Sequence, residues 1–368
     1  MNIIPSNSQT YSKSSRYFTQ DFKIVSGLGC KVQTDDGREL TDYNMALGAN
    51  ILGYKPASWY SDGVPDGVNF SRPHALEEET ASKLLEYFPH HDMVKFFKNG
   101  SDATEIAVRL ARAYTGRETI VWCNYHGFHD GYISSVYPAK GITNMNREDN
   151  WNYGEYLRIQ TKTIAGIIVE PTHPDIVEIS KTARENNIVL IFDEVLTGFR
   201  YNLGGLQSIL GIYPDITCLG KCMANGLPLS AVVGGGDLME LMDEGVFASS
   251  TMGGETMSLN ACLRTIEELE ASGDYLNGLG NEWILGTEWI GVDGFGARCG
   301  FKFENLTQQS IYQDELLKRG ILVNGLNNFC LAHTKEDIDY YLKCLEEVLP
   351  IVNKGEFNGQ IINPMFVR

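Results

Sequence analysis

Positive charge is scarce in this chain of 368 residues, where 30 lysines and arginines stand against 47 aspartates and glutamates, a formal charge of −17. So acidic a surface repels phosphate backbones and anionic lipid, which argues against nucleic-acid and membrane partners. Long apolar runs are also missing, and none approaches the ~18 residues of a membrane helix. The first residues, Met1-Asn2-Ile3-Ile4-Pro5-Ser6-Asn7, have neither the basic nor the apolar region of a secretory signal, and a cytoplasmic protein is expected. Paired cysteines are the third absence. The eight cysteines, at 30, 123, 218, 222, 262, 299, 330 and 344, follow no zinc or disulfide spacing. Cys218 and Cys222 lie close, but no second pair or nearby histidines complete a site, so reduced thiols are expected.

What is present is ordinary for a globular protein, 43% apolar and 21% charged residues. The length exceeds one compact core and suits a large domain with a smaller one. The expected division is 1–60, an N-terminal arm with small-domain strands; 61–275, a large domain; and 276–368, a C-terminal small domain. Residues 31–40 read as two strands around Asp36-Gly37. From about residue 76 the pattern becomes helical, with Leu76, Ala81, Leu84 and Leu85 on one face. Buried strands are expected at 120–122, 165–169, 188–192, 216–219 and 231–233, with a helix at 176–187 between two of them. This alternation predicts an α/β fold, a mainly parallel sheet flanked by helices.

Four segments could carry chemistry. Gly100 and Ser101 stand where a loop becomes a helix, and amides at a helix start bind anions such as phosphate; an ordinary helix cap is the plainer alternative. Tyr125, in Tyr125-His126-Gly127-Phe128-His129, follows a strand and could lie on a flat ligand. The two histidines hint at a metal, but no third ligand is close in sequence. Asp193 ends an apolar strand, where ligands collect in open α/β sheets. Its carboxylate needs a partner: a protonated ring nitrogen, a metal, or a helix start would each serve. Lys221 lies between a strand and Gly226-Leu227-Pro228, and partial desolvation would make it an imine former and proton carrier.

Longer motifs join these segments. They include Asp193-Glu194-Val195-Leu196-Thr197-Gly198-Phe199-Arg200 with Leu219-Gly220-Lys221, the string Arg109-Leu110-Ala111-Arg112-Ala113-Tyr114-Thr115-Gly116-Arg117, and Ala332-His333-Thr334. From about Gly29 to Glu347 the chain resembles the class III aminotransferases of pyridoxal phosphate (PLP) fold type I, most nearly the glutamate-1-semialdehyde aminomutases. The resemblance implies that residues 61–275 bind PLP. Lys221 would hold the cofactor as a Schiff base and shuttle a proton; Asp193 would pair with the pyridine nitrogen. Tyr125 and Val195 would cover the two ring faces, and Gly100 and Ser101 would hold the phosphate. Thr251 matches a threonine that reaches the phosphate from a neighbouring subunit, which implies a homodimer with shared active sites. Glu170 matches an acidic position near the site.

The departures fall at the substrate end. Residues 10–16 lack a clear counterpart of the aminomutase arginine that reads the substrate carboxylate. Thr172-His173-Pro174-Asp175 follows Pro171 in place of a glycine-containing turn. Leu326-Asn327-Asn328 occupies the late gating position, and Gly253-Gly254-Glu255-Thr256 replaces a Gly-Asn-Pro turn. Lys13 and Arg72 are added cations that suit a carboxylated or phosphorylated acceptor, and the arm and the Gly-Gly-Glu turn resemble aminotransferases of surface-polysaccharide precursors. The expected reaction is amino transfer from an amino acid, L-glutamate, to a small carbonyl acceptor. The alternatives are an aminomutase passing one amino group within a single substrate, a nicotinamide oxidoreductase, and a non-catalytic binding protein. Against the oxidoreductase, Val32 stands where a dinucleotide loop needs its third glycine, and the segment after it reads as a hairpin.

Overall fold

The structure, a computed structural model, describes residues 3–130, 161–287 and 292–363. The chain divides into two compact units, one of residues 1–59 with 271–368 and the other of residues 60–270.

The first unit begins with β1 (Ile24–Leu28), β2 (Lys31–Thr34) and β3 (Glu39–Asp42), paired antiparallel in that order. The Asp36-Gly37 turn expected between the last two is present, with Gly37 in the left-handed region. Val32 and Leu40 pair across the strands and point into the core. After β3 the backbone is left-handed at Met45, Ala46 and Leu47, which costs L-residues roughly 1–2 kcal/mol each. Buried Asp42 offsets that strain: Oδ1 accepts from the amides of Asn44 and Met45 at 2.7 and 3.0 Å, and Oδ2 from the Tyr54 hydroxyl at 2.6 Å.

The second unit carries a six-stranded sheet. Its elements are α1 (Ala75–Tyr87), β4 (Met93–Phe97), α2 (Gly100–Thr115), β5 (Thr119–Cys123), β6 (Ile164–Val169), α3 (Ile176–Glu185), β7 (Val189–Glu194), α4 (Gly205–Leu210), β8 (Ile216–Leu219), β9 (Ser230–Gly234) and α5 (Thr256–Ser272). The strand order is β4-β9-β8-β7-β6-β5. β5 to β8 are mutually parallel, as the alternation of strands and helices predicts, and β9 is antiparallel to both β8 and β4. Successive residues of the central strands serve opposite faces. Ile168 and Ile191 pack with Ile106, Ala107 and Leu110 of α2, whereas Ile167 and Leu190 pack with Ile176 and Ile179 of α3. Covered on both faces, these strands read as continuous apolar runs. β4 was not among the expected strands. It is an edge strand with Met93 and Lys95 exposed, so it shows no such run.

The chain completes the first unit with α6 (Tyr275–Gly286), β10 (Val292–Phe295), β11 (Arg298–Phe301), α7 (Leu306–Lys318), β12 (Ile321–Leu322), β13 (Leu326–Asn328) and α8 (Lys335–Lys354). β12 lies parallel to β3, extending the N-terminal sheet, while β10, β11 and β13 form a separate antiparallel sheet. Trp283, Tyr312 and Tyr341 fill the core between the last helices. Among the described residues no helix is long and apolar enough to cross a membrane.

Candidate active site

In the second unit the carboxyl ends of β5, β6, β7 and β8 lie side by side, with Cys123 opposite Val169, Val169 opposite Phe192, and Asp193 opposite Cys218. Two antiparallel steps through β9 bring the end of β4 to the same edge, since Phe97 pairs with Ser230 and Leu219 with Ala231. Ligands collect at such an edge of an open α/β sheet. Five segments issue from it: Lys98 to Ser101, Asn124 to His126, Glu170, Asp193 to Val195, and Gly220 to Lys221.

The first segment starts α2, a helix of 16 residues. Its N-cap is Asn99, whose Oδ1 accepts from the Asp102 amide at 3.1 Å, so Gly100 and Ser101 are the first helical residues and not the cap. Their amides precede the first intrahelical bond, and the helix dipole favours an anion there. The neighbours press close. A Cβ on Gly100 would lie 2.7 Å from Val195 Cγ1, and one on Gly220 would lie 3.2 Å from the same methyl. Val195 is therefore seated between the start of α2 and the residue before Lys221. On the other side a Cβ on Gly127, which is left-handed, would come 2.6 Å from Ser101 Oγ, and the Phe128 amide donates to that oxygen at 3.2 Å. Only glycine fits at 100 and 127.

Asp193 is 6% exposed. Its Oδ1 accepts from the Val195 amide at 3.1 Å, and its Oδ2 lies 2.8 Å from His126 Nδ1. The other ring nitrogen, Nε2, is 2.7 Å from the Cys123 carbonyl oxygen. Neighbouring Glu194 is fully buried and is held by four donors: the Thr197 hydroxyl at 2.7 Å, the Leu206 amide at 2.8 Å, and the Gln207 amide and side chain at 3.0 and 3.2 Å. Burial raises its carboxyl above the usual range, and these hydrogen bonds pull it partly back. Glu194 thus fixes the start of α4 and the loop after Asp193, a role its place in the motif does not reveal.

Lys221 opens a short 3-10 turn, Lys221–Ala224, with φ +40°. A left-handed non-glycine residue is strained, and strain of this kind gathers at functional sites. The turn is anchored on both sides. The Cys222 thiol donates to the Gly198 carbonyl at 3.0 Å, and the Tyr60 hydroxyl donates to the Asn225 carbonyl at 3.0 Å. Burial pushes the Cys222 and Cys218 thiols up, so both stay neutral beside the site.

Gly100, Ser101, Asp193, Val195 and Lys221 thus share one edge with Tyr125, which is half-buried. Glu170 follows β6 directly, and the Thr172 hydroxyl donates to its Oε2 at 3.4 Å. Thr251 is exposed on a turn whose Gly253 packs on the Phe96 carbonyl. The same segment supplies Glu255, which pairs with Lys98 Nζ at 2.9 Å and accepts from the Met257 and Ser258 amides at the start of α5. Arg72 is exposed ahead of α1, and Lys13 is exposed on a 3-10 turn of the first unit. His126 and Glu194 were given no part in the expected cofactor site. Tyr125-His126-Gly127 draws attention to the histidine, but its carboxylate partner is 67 residues away.

Known proteins resemble this chain in sequence and in fold. The sequence profile of the class-III aminotransferases matches residues 11–278. The glutamate-1-semialdehyde 2,1-aminomutase of Methanospirillum hungatei is 32% identical over 88% of this chain and 92% of its own length. The 3-aminobutyryl-CoA aminotransferase of Cloacimonas acidaminovorans is 30% identical over 89% of each chain. Among solved structures, the PLP form of the FumI protein of Sphingopyxis sp. MTA144 superposes with a TM-score of 0.85 at 23% identity, covering 99% of this chain and 97% of that one. A transaminase with PLP bound gives 0.82 at 24% identity over 96% of each. The fold is PLP fold type I, and the chain belongs to the class-III aminotransferase family.

Proposed function

We propose that this chain is a PLP-dependent aminotransferase that takes an amino group from an amino acid, L-glutamate, and delivers it to a small carbonyl acceptor. The observation that carries this reading is the gathering of a helix start, a buried carboxylate and a strained lysine at one sheet edge. The residues fit the cofactor. Gly100 and Ser101 offer amides to a phosphate, the glycines at 100, 127 and 220 let Val195 and Ser101 sit close against them at this edge, and Asp193 offers a buried acceptor to a ring nitrogen.

When bound, pyridoxal phosphate supplies an electron sink for charge developing at the carbon that bears the amino group. Asp193 holds the proton at the ring nitrogen. Lys221 would hold the cofactor, and its Nζ would take and return the proton at the substrate Cα. Tyr125 and Val195 would hold the cofactor ring between them. Thr251 of a second copy would complete the phosphate site in a homodimer, and Glu170 would lie beside the cofactor. Lys13 and Arg72 attract an acidic acceptor, a carboxylated or phosphorylated precursor of a surface polysaccharide.

A second reading has its own support, because relatives at 28–35% identity are named glutamate-1-semialdehyde 2,1-aminomutase. A mutase needs no external amino donor. The test is the absorbance spectrum of the purified, PLP-loaded chain before and after L-glutamate. Loss of the visible imine band, with growth of a near-ultraviolet band, supports the transaminase; a band indifferent to every amino acid donor but responsive to an amino-aldehyde supports the mutase. Lys221→Ala is expected to lose the visible band and at least ~10²–10⁴-fold of turnover. Turnover near wild type would remove Lys221 from the mechanism. Lys13→Ala and Arg72→Ala should raise KM for acidic acceptors, and unchanged KM across a panel of them would remove that assignment.

A further inference from the structure

Lys98 and Glu255 serve no step of the proposed reaction, yet they join two segments that it needs at the phosphate. Lys98 stands between the end of β4 and the N-cap Asn99, whose carbonyl accepts from the Ser230 hydroxyl at 2.7 Å and whose Oδ1 accepts from the Asp102 amide at 3.1 Å. Its Nζ lies 2.9 Å from Glu255 Oε1, and the two side chains are only 17% and 16% exposed. Glu255 precedes α5, and its carboxylate also accepts from the amides of Met257 at 2.9 Å and Ser258 at 3.1 Å. A carboxylate aimed by amides at a helix start, and paired largely out of water, is screened less than an exposed surface pair. The turn ahead of it is pressed against the same strand. A Cβ on Gly253 would lie 2.7 Å from the Phe96 carbonyl oxygen, and one on Gly254 would lie 2.6 Å from Glu77 Oε1, itself engaged by the His74 amide at 2.9 Å. Two glycines let the turn approach, and the glutamate after them fastens it.

We propose that Lys98 and Glu255 are positioning residues whose ion pair locks the turn bearing Thr251 onto the strand that leads into Gly100 and Ser101. This rests on the PLP reading above, in which Thr251 would reach a phosphate. Thr251 is exposed on its turn, so its hydroxyl is placed only as well as that turn is anchored. β4 is fixed in the sheet by its pairing with β9, and α5 holds Glu255 from behind. The ion pair connects the two.

The lock is read first without cofactor. Hydrogen exchange of the full chain follows the amides of Gly253, Glu255, Thr256, Met257 and Ser258, which bond to Ser250, Met252, Val68 and the Glu255 carboxylate. Lys98→Met removes none of those bonds, yet it should speed their exchange ~10- to 100-fold, the effect of losing a hydrogen bond between charged groups. Unchanged exchange in a folded Lys98→Met protein overturns the proposal. The second readout is PLP affinity by equilibrium dialysis. Lys98→Met and Glu255→Gln should each weaken it ~10-fold, and the double variant should be little weaker than either one. In a Thr251→Ala background the same changes should have no further effect, whereas a general loss of stability would lower affinity in both backgrounds alike. Losses that add to that of Thr251→Ala overturn the positioning role. A wild-type chain that fails to bind PLP, or a Thr251→Ala chain that binds it as the wild type does, refutes the reading of the site instead, and the exchange result still decides whether the pair locks the turn.

Discussion

Replacing Gly100 by alanine sets two effects against each other. Alanine is favoured over glycine by about 1 kcal/mol in a helix interior, and by less at a first helical residue such as this one. The new methyl, however, would sit 2.7 and 2.9 Å from the two Val195 methyls, where carbon atoms prefer about 3.5–4.0 Å. Overpacking of this kind costs roughly 1–3 kcal/mol, so the clash wins and Gly100→Ala is expected to destabilise by about 1–2 kcal/mol. Val195 is half-buried, and Val195→Ala alone should cost about 1 kcal/mol from lost burial. It also makes room for the methyl, so the double variant should be little worse than Val195→Ala. The coupling energy is then about 1–2 kcal/mol of opposite sign to the single losses. Urea melts of the four proteins measure it, and each kcal/mol corresponds to about 2–4 °C in Tm for a unit of this size. PLP affinity should follow the same pattern, falling in Gly100→Ala and partly recovering in the double variant. Additivity within about 0.3 kcal/mol would refute the seating of Val195 against the start of α2.

Gly205→Ala tests the support beneath Asp193. Gly205 is left-handed, and a Cβ would run into the Glu194 carboxylate, whose two oxygens are held by four donors, so a loss of ~3 kcal/mol or more is expected in the same melts; a change under about 0.5 kcal/mol would show that Glu194 is free to move. Burial, helped by neighbouring His90, lowers the His91 imidazole from 6.5 to about 4. The unfolded chain therefore takes up a proton that the folded chain refuses, and stability is lost as pH falls from 6.5 toward 4, by about 1.4 kcal/mol per pH unit. Comparison with His91→Gln isolates this contribution from buried carboxylates such as Glu194, whose raised values act in the opposite sense. Equal slopes in the two proteins over that window would refute the assignment.

The sequence by itself determined the strands β5 to β8 and their parallel direction, because a sheet covered on both faces leaves apolar runs separated by helices. It also marked Gly100, Ser101, Asp193 and Lys221, since each stands at a junction where a strand gives way to a turn or a loop to a helix. Other features were decided only by tertiary structure. β4 has Lys95 outward at the sheet edge and leaves no apolar run. The direction of β9 depends on a short link, residues 220–229, that periodicity does not describe. The seating of Val195 between Gly100 and Gly220, and the pairing of His126 with Asp193, join residues far apart in the chain. Strand order brings such residues together, and no local pattern of hydrophobicity or charge records which distant strand end will be the neighbour.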